Sequence, residues 1–291
     1  MSGLALTLVL ISALMHSSWN LSLKKSQHPE IFTWCMSATG SIIMFPVGAL
    51  FLVVQPIQGP GFWFLLVTIL LHAAYFTTLS RAYSTDDLSL VYPMSRGFGS
   101  ALVPIIGIWI LGETVSIPAV VGIGLVIVGI CVIHIPHISG KPLLSPFKLL
   151  RSRGSQYALL TGVIIAAYST WDKVGVTYVH PLLYMYSIIL GVTVTLAPYQ
   201  IRTYGIRAIM EEWNHHSISI TVGALLAFGA YSLVLIALKA SQVSYIAPAR
   251  EVGLVFGILL GVLVLKETLD RKQAIGSAII VSGLILLSTF P

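Results

Sequence analysis

The sequence predicts an all-α membrane protein of ten transmembrane helices, arranged as two five-helix repeats of inverted topology. Three observations carry that expectation. Of the 291 residues only 9% are charged and 56% are hydrophobic, against about 25% charged in ordinary soluble domains. Mean hydropathy is +0.92, and a water-soluble fold of this length cannot cover its surface with so few charges. Ten apolar runs, each near the roughly 20 residues that cross a bilayer once, use most of the chain. Finally, residues of the first half recur in the second at a near-constant offset.

The runs fall at 2–23, 31–54, 62–80, 88–111, 117–135, 157–179, 182–200, 217–238, 243–265 and 273–289. The first lacks a basic segment before it and has Lys24-Lys25 after it, so it reads as a membrane span and not as a secretory signal. Most of the others are bounded by Pro, Gly or charged residues, which end helices: His28-Pro29 before the second, Gly59-Pro60 before the third, Arg81 after it, and Gly112-Glu113-Thr114 after the fourth. The stretch 137–156 carries Lys141, Lys148, Arg151 and Arg153 and reads as a basic cytoplasmic linker. It separates a first repeat, 1–136, from a second, 157–291.

The repeat itself is visible by self-comparison. A shift of 154 pairs Arg96 with Arg250, Gly99 with Gly253, Gly107 with Gly261, Glu113-Thr114 with Glu267-Thr268, Gly122 with Gly276 and Gly129 with Gly283. A shift of 152 pairs Trp19 with Trp171, Asn20 with Asp172, and His28-Pro29 with His180-Pro181. Five spans per repeat force the two halves to enter the bilayer in opposite directions. Loops after odd-numbered spans hold twelve of the basic residues and loops after even-numbered spans hold one, Lys239. By the positive-inside rule the odd loops are cytoplasmic, which places both termini outside the cell membrane. Inverted repeats are a recurring plan of secondary transporters, with substrate bound near the midplane where the repeats meet.

With Arg81–Gly97 (RAYSTDDLSLVYPMSRG) and Leu-Gly-Glu-Thr at 111–114, matched by Ala237–Arg250 (ALKASQVSYIAPAR) and Leu-Lys-Glu-Thr at 265–268, the chain resembles the drug/metabolite transporter superfamily, EamA type, over nearly its whole length. The resemblance implies a membrane transporter of small metabolites, in many relatives an exporter of amino acids, in others a carrier of nucleotide sugars or sugar phosphates. It does not single out a substrate. Sugar-phosphate carriers of the wider superfamily use basic residues in the ninth helix, a placing similar to that of Arg250.

Ionised groups inside a span cost at least about 2.5–3.5 kcal/mol each at a helix centre, so those present need a partner or a wet cavity. Arg96, Asp172, Lys173, Arg250 and Glu251 are the five. Arg96 lies about 12 Å down the fourth span and Arg250 about 10 Å down the ninth, at 1.5 Å per residue. The inversion brings them toward one cavity from opposite faces. A guanidinium holds a carboxylate or phosphate in a fork of donors, so the pair points to an anionic or zwitterionic cargo; snorkelling, or neutralising Asp172 or Glu251, is the competing role. His16 and Asn20 share a helix face, as do Tyr168 and Asp172, with Trp19 and Trp171 beside them. Rings and short polar groups suit a small amphipathic molecule, and they equally suit interhelical hydrogen bonding. Tyr92 and Tyr245 each precede an arginine, next to a proline at 93 and 248, and suit a cavity wall or a kink. Tyr75, Tyr231 and His72 complete the candidates. Proton coupling, if used, falls to Asp172, Glu251 or His16. Lys173, near a helix end, can snorkel.

Glycines on the fifth, ninth and tenth spans suit close packing within the fold or between two copies in a homodimer. Glu113 and Glu267 sit at helix C-termini, where the macrodipole disfavours an acid, so a nearby donor is expected to compensate. No phosphate-binding loop, zinc-protease motif, paired Cys-x-x-Cys or nucleophile elbow occurs, so no catalytic residue, cofactor or metal is assigned. The net charge of +6 is scattered among loops and does not call for nucleic acid; the expected partners are the bilayer and a small metabolite. The function read from the residues is a secondary transporter working by alternating access, with a lipid-linked substrate flippase as the alternative and an intramembrane enzyme a distant third.

Overall fold

The computed structural model describes residues 1–23, 26, 28–86, 88–134 and 152–290. Most of the expected linker, and Lys24 and Lys25, lie outside the described residues. The chain is an all-α membrane protein: α1 (Gly3–Leu23), α2 (Pro29–Ile43), α3 (Phe45–Val54), α4 (Gly61–Thr85), α5 (Leu88–Trp109), α6 (Ile117–His134), α7 (Arg153–Gly175), α8 (Pro181–Ala240), α9 (Val243–Ala249), α10 (Val252–Leu265) and α11 (Arg271–Thr289).

Three expected spans differ in detail. The second is broken into α2 and α3, which meet at a 52° bend, with Pro46 in the first turn of α3. The seventh and eighth are joined: α8 runs for 60 residues with non-helical backbone at Gly205 and His216. At 1.5 Å per residue that path is about 90 Å, three times a bilayer core, so it holds two crossings, 181–204 and 217–240, linked by a short segment. The ninth is interrupted at Arg250–Glu251, two residues after Pro248, where backbone bonds tighten to i→i−3 (Glu251 to Pro248, Gly253 to Arg250). In addition α7 starts at Arg153, inside the stretch expected to be linker, because Ser152 accepts a hydrogen bond from Ser155 N and caps it. Six helical stretches are long and apolar enough to cross a membrane, seven with the bent pair. The second crossing of α8, together with α5 and α7, which carry the buried polar residues of the site, brings the described set to ten.

Glycine positions show how the halves clasp. A Cβ on Gly122 would stand 2.8 Å from Gly283 O, and one on Gly129 2.8 Å from Gly276 O; the reciprocal approaches are 2.6 and 2.8 Å. α6 and α11 therefore pack backbone to backbone within the chain, and the two contacts exchange under the 154-residue shift. The ninth-span glycines behave differently: a Cβ at Gly257 would meet nothing within 4 Å, so they form no tight stripe.

The turns after α5 and α10 are twins as well. Glu113 N donates to Gly107 O at 3.0 Å and Glu267 N to Gly261 O at 3.1 Å; Gly112 and Lys266, equivalent under the shift, both take left-handed backbone. The Glu113 carboxylate accepts from Val243 N (2.8 Å), Ser244 N (2.9 Å) and Ser244 Oγ (2.6 Å). It caps the N-terminus of α9, where a helix dipole favours an acid. Lys173 does the converse at α8, donating to Leu238 O at 2.6 Å and Ser241 O at 2.8 Å. Its charge thus meets the C-terminus of α8.

Candidate functional site

A cavity of about 250 Å³ enters the bundle between α1, α2, α4, α5 and α8, from the end that carries Glu30, Ser80 and Arg81 down to Arg96 and His16. Its walls are aromatic: Trp19, Trp34, Tyr75, Phe76, Tyr83, Tyr92 and Tyr199, with Asn20, Ser37 and Gln200 between them. At the mouth the Glu30 carboxylate accepts the hydroxyls of Ser80 and Tyr204, the latter at 2.5 Å. That contact joins α2, α4 and α8 at one end of the cavity.

At the other end Arg96 donates from Nη2 to Glu251 Oε1 at 2.8 Å and from Nε to Oε2 at 3.3 Å. Ser100 Oγ adds a bond to Glu251 Oε1 at 2.9 Å. Glu251 is 3% exposed, and this fork bolts α5 to the turn between α9 and α10. Behind the wall lies a second polar cluster. Asp172, with no exposed surface, accepts from Thr68 Oγ1 (2.6 Å), Tyr184 OH (2.8 Å) and Tyr231 OH (2.6 Å). The carboxylate is used purely as an acceptor. The Arg250 guanidinium sits 5.2 Å over the Tyr231 ring, a cation–π contact, and no carboxylate pairs with it among the described residues. His72 and Tyr168 fill the space between, with ring centroids 4.4 Å apart; Tyr168 in turn meets Tyr75 of the cavity wall edge-on at 5.8 Å.

The sequence candidates thus separate into three groups. His16, Trp19, Asn20, Tyr75, Tyr92 and Arg96 line the cavity. Tyr168, Asp172, Tyr231, Arg250 and Glu251 form the cluster at and behind its floor. Trp171 and Tyr245 stand apart from it. Trp171 Nε1 donates to Phe64 O at 3.1 Å, which pins α7 to α4. Tyr245 OH accepts from Ser116 N at 3.3 Å at the far end of the bundle, beside Met1, Gln242 and the α5–α6 turn. Ser116 Oγ there reaches Phe290 O at 2.7 Å, so both chain ends lie at the end opposite the cavity mouth.

Sequence reasoning missed Trp34, Ser37 and Gln200, the contributions of α2 and α8. Gln200 was the available signal: an amide at the edge of an apolar run, 5% exposed. Its Oε1 and Trp19 Nε1 are buried without a hydrogen-bond partner among the described residues, an unmet acceptor and an unmet donor in one wall.

A multi-pass helical bundle with such a cavity belongs to the small-molecule transporters of membranes, and the comparisons with known proteins place it further. Residues 152–289 match the EamA-like transporter family and residues 57–126 match the Small Multidrug Resistance protein family, which bears out the resemblance to the drug/metabolite transporters. Multidrug resistance protein EbrB of Bacillus subtilis (strain 168) is 44% identical over 59 residues, 20% of this chain and 50% of that protein; its namesake in Bacillus atrophaeus matches equally. The chain thus spans about half the length of the curated relatives it matches. One solved crystal structure superposes with a TM-score of 0.77 at 16% identity, covering 98% of this chain and 96% of that one. At that identity the likeness is one of fold alone.

Proposed function

We propose that this chain is a secondary active transporter of the cell membrane, an exporter or exchanger that moves a small anionic or zwitterionic metabolite by alternating access. One observation carries the reading: the Arg96 guanidinium stands at the floor of an aromatic-walled cavity between α1 and α5. Arg96 takes the cargo's acidic group, Trp19, Tyr75 and Tyr92 cover its apolar part, and Asn20 with Gln200 orients it. Arg250, Tyr231, Tyr168 and Asp172 form the layer that moves when the halves rock about the midplane. Trp171 and Tyr245 hold the scaffold, Tyr245 closing the far end. Asp172, Glu251 and His16 remain the proton-coupling candidates: His16 lines the cavity, Glu251 holds Arg96, and Asp172 lies in the cluster behind the floor.

The basic loops put the cavity mouth on the cytoplasmic side by the positive-inside rule, so both termini face outward and this conformation faces inward. The repeats 1–136 and 157–291 are the moving units. The test is a thermal-shift screen of purified protein against amino acids, organic acids and phosphate esters, since a ligand of the folded state raises apparent stability. Hits are then followed as flux in proteoliposomes. Wild-type flux in Arg96→Ala and Arg250→Ala proteins that reach the membrane would overturn the anion reading.

The EbrB match favours a second reading, efflux of amphipathic drugs stacked on the same rings. Ethidium flux that survives Arg96→Ala, with no stabilisation by any anion, would select it. Flux dependent on an isoprenoid or acyl tail would instead select a lipid-linked flippase.

A further inference from the structure

We propose that Glu251 is an internal competitor for the cargo's acidic group, holding Arg96 until cargo displaces it and taking it back at release. The inference rests on the anion reading above. Its starting point is a broken symmetry: the 154-residue shift equates Arg96 with Arg250, but it places Gly97 where the second repeat has Glu251. Among the described residues only Arg96 of the pair has an acid to hold it.

The geometry suits exchange rather than permanent fixing. Glu251 uses the Nε and Nη2 edge of the guanidinium, and Nη1 makes no hydrogen bond to the protein among the described residues. The Arg96 side chain retains 14% exposure against 4% for Glu251 and lines the cavity. An incoming carboxylate therefore approaches from the open side. Two carboxylates on one guanidinium repel, so cargo loosens the grip of Glu251 as it binds. Each bound cargo replaces an ion pair already present, and the net affinity is a difference between two similar terms. Without the competitor, a carboxylate on a part-buried arginine would bind tightly and leave slowly. With it, release is assisted by the return of Glu251, which a carrier needs on every cycle.

The test uses the full-length protein in detergent and in proteoliposomes, with benzoate and inorganic phosphate as probes. In Glu251→Gln the amide cannot compete as an anion. The dissociation constant for the better probe is expected to fall at least about ten-fold, in line with measured coupling energies of close charge pairs. Flux of that probe is expected to show a lower KM together with a lower kcat, a split that a merely structural role does not produce. Ser100→Ala, which leaves Glu251 with Arg96 alone, is expected to shift both in the same direction by less, and it keeps the test open if Glu251→Gln folds poorly. Equal or weaker anion binding in both variants, or none at all, overturns the inference. If binding is then still lost in Arg96→Gln, the anion reading survives; if Arg96→Gln binds like wild type, both fall.

Discussion

The two halves carry matching polar positions on α1 and α7, and the structure uses them in opposite ways. On α1, His16, Trp19 and Asn20 line the cavity, and the Trp19 indole N–H is left without a partner among the described residues. On α7, the equivalent Tyr168, Trp171 and Asp172 are sealed: Trp171 bonds to Phe64 O and Asp172 takes three hydroxyls. The arginines differ the other way: Arg96 is ion-paired at the cavity floor, and Arg250 rests on the Tyr231 ring behind it with no carboxylate partner among the described residues. At these paired positions α1 thus keeps a polar edge open and α7 does not. The physical cause is satisfaction: a buried polar group whose bonds are all made within the protein stabilises the fold, and one left with an open edge is available to a ligand.

Substitutions can break this contrast, starting with the largest effect. Arg96→Ala strands the buried Glu251 carboxylate and is expected to cost about 3–5 kcal/mol, read as thermal unfolding in detergent. Adding Glu251→Gln is expected to recover most of that loss, because the two residues are coupled. Recovery of nothing would mean that the fork at 2.8 and 3.3 Å carries no energy.

Asp172→Ala leaves Thr68, Tyr184 and Tyr231 without their acceptor. At about 0.6–1.7 kcal/mol per membrane hydrogen bond the loss is roughly 2–5 kcal/mol. If Asp172→Ala unfolds at the wild-type temperature, the three hydroxyl bonds to Asp172 carry no energy.

Arg250→Ala removes a cation–π contact and is expected to cost about 0.5–2 kcal/mol, well below Arg96→Ala. Equal losses for the two arginines would erase the distinction drawn between them. Trp19→Phe keeps the ring and deletes the unpartnered N–H, so unfolding should move by no more than about 0.5 kcal/mol. Flux of the identified cargo should nevertheless fall, and unchanged flux would remove Trp19 Nε1 from the recognition surface.

Much of the fold was legible because its signals are local or periodic. Low charge and apolar runs report the solvent, and the Gly-Glu-Thr and Lys-Glu-Thr turns report a repeated helix end whose acid needed a donor. For Glu113 that donor is the N-terminus of α9. The packing glycines of α6 and α11 were legible too, while the four-residue glycine spacing on the ninth span carries no contact at Gly257. The break at Met44 was not legible, since it depends on how each helix end meets its neighbours, whereas Gly205 falls in the expected loop 201–216 and the Arg250–Glu251 break falls beside the expected kink at Pro248.

The cavity was half legible. Residues that are costly to bury stood out by type, and they do cluster between the halves. Trp34 and Gln200 did not stand out, because one aromatic or amide at the edge of an apolar helix looks like packing until the opposite wall is known.

By itself the sequence determined that this chain is a membrane protein of apolar helices, that positions recur between its two parts at a near-constant offset, and that a few charged residues fall inside apolar runs. Those follow from transfer free energies and from residue spacing, which are properties of single helices. Only the tertiary structure decided that Glu251 holds Arg96 and leaves Arg250 to an aromatic ring, that Asp172 is enclosed and Asn20 is not, and that the opening lies at the Glu30 end. Those are properties of distances between helices remote in the chain, and hydrogen bonds and ion pairs depend on ångström-scale separations that no local pattern encodes.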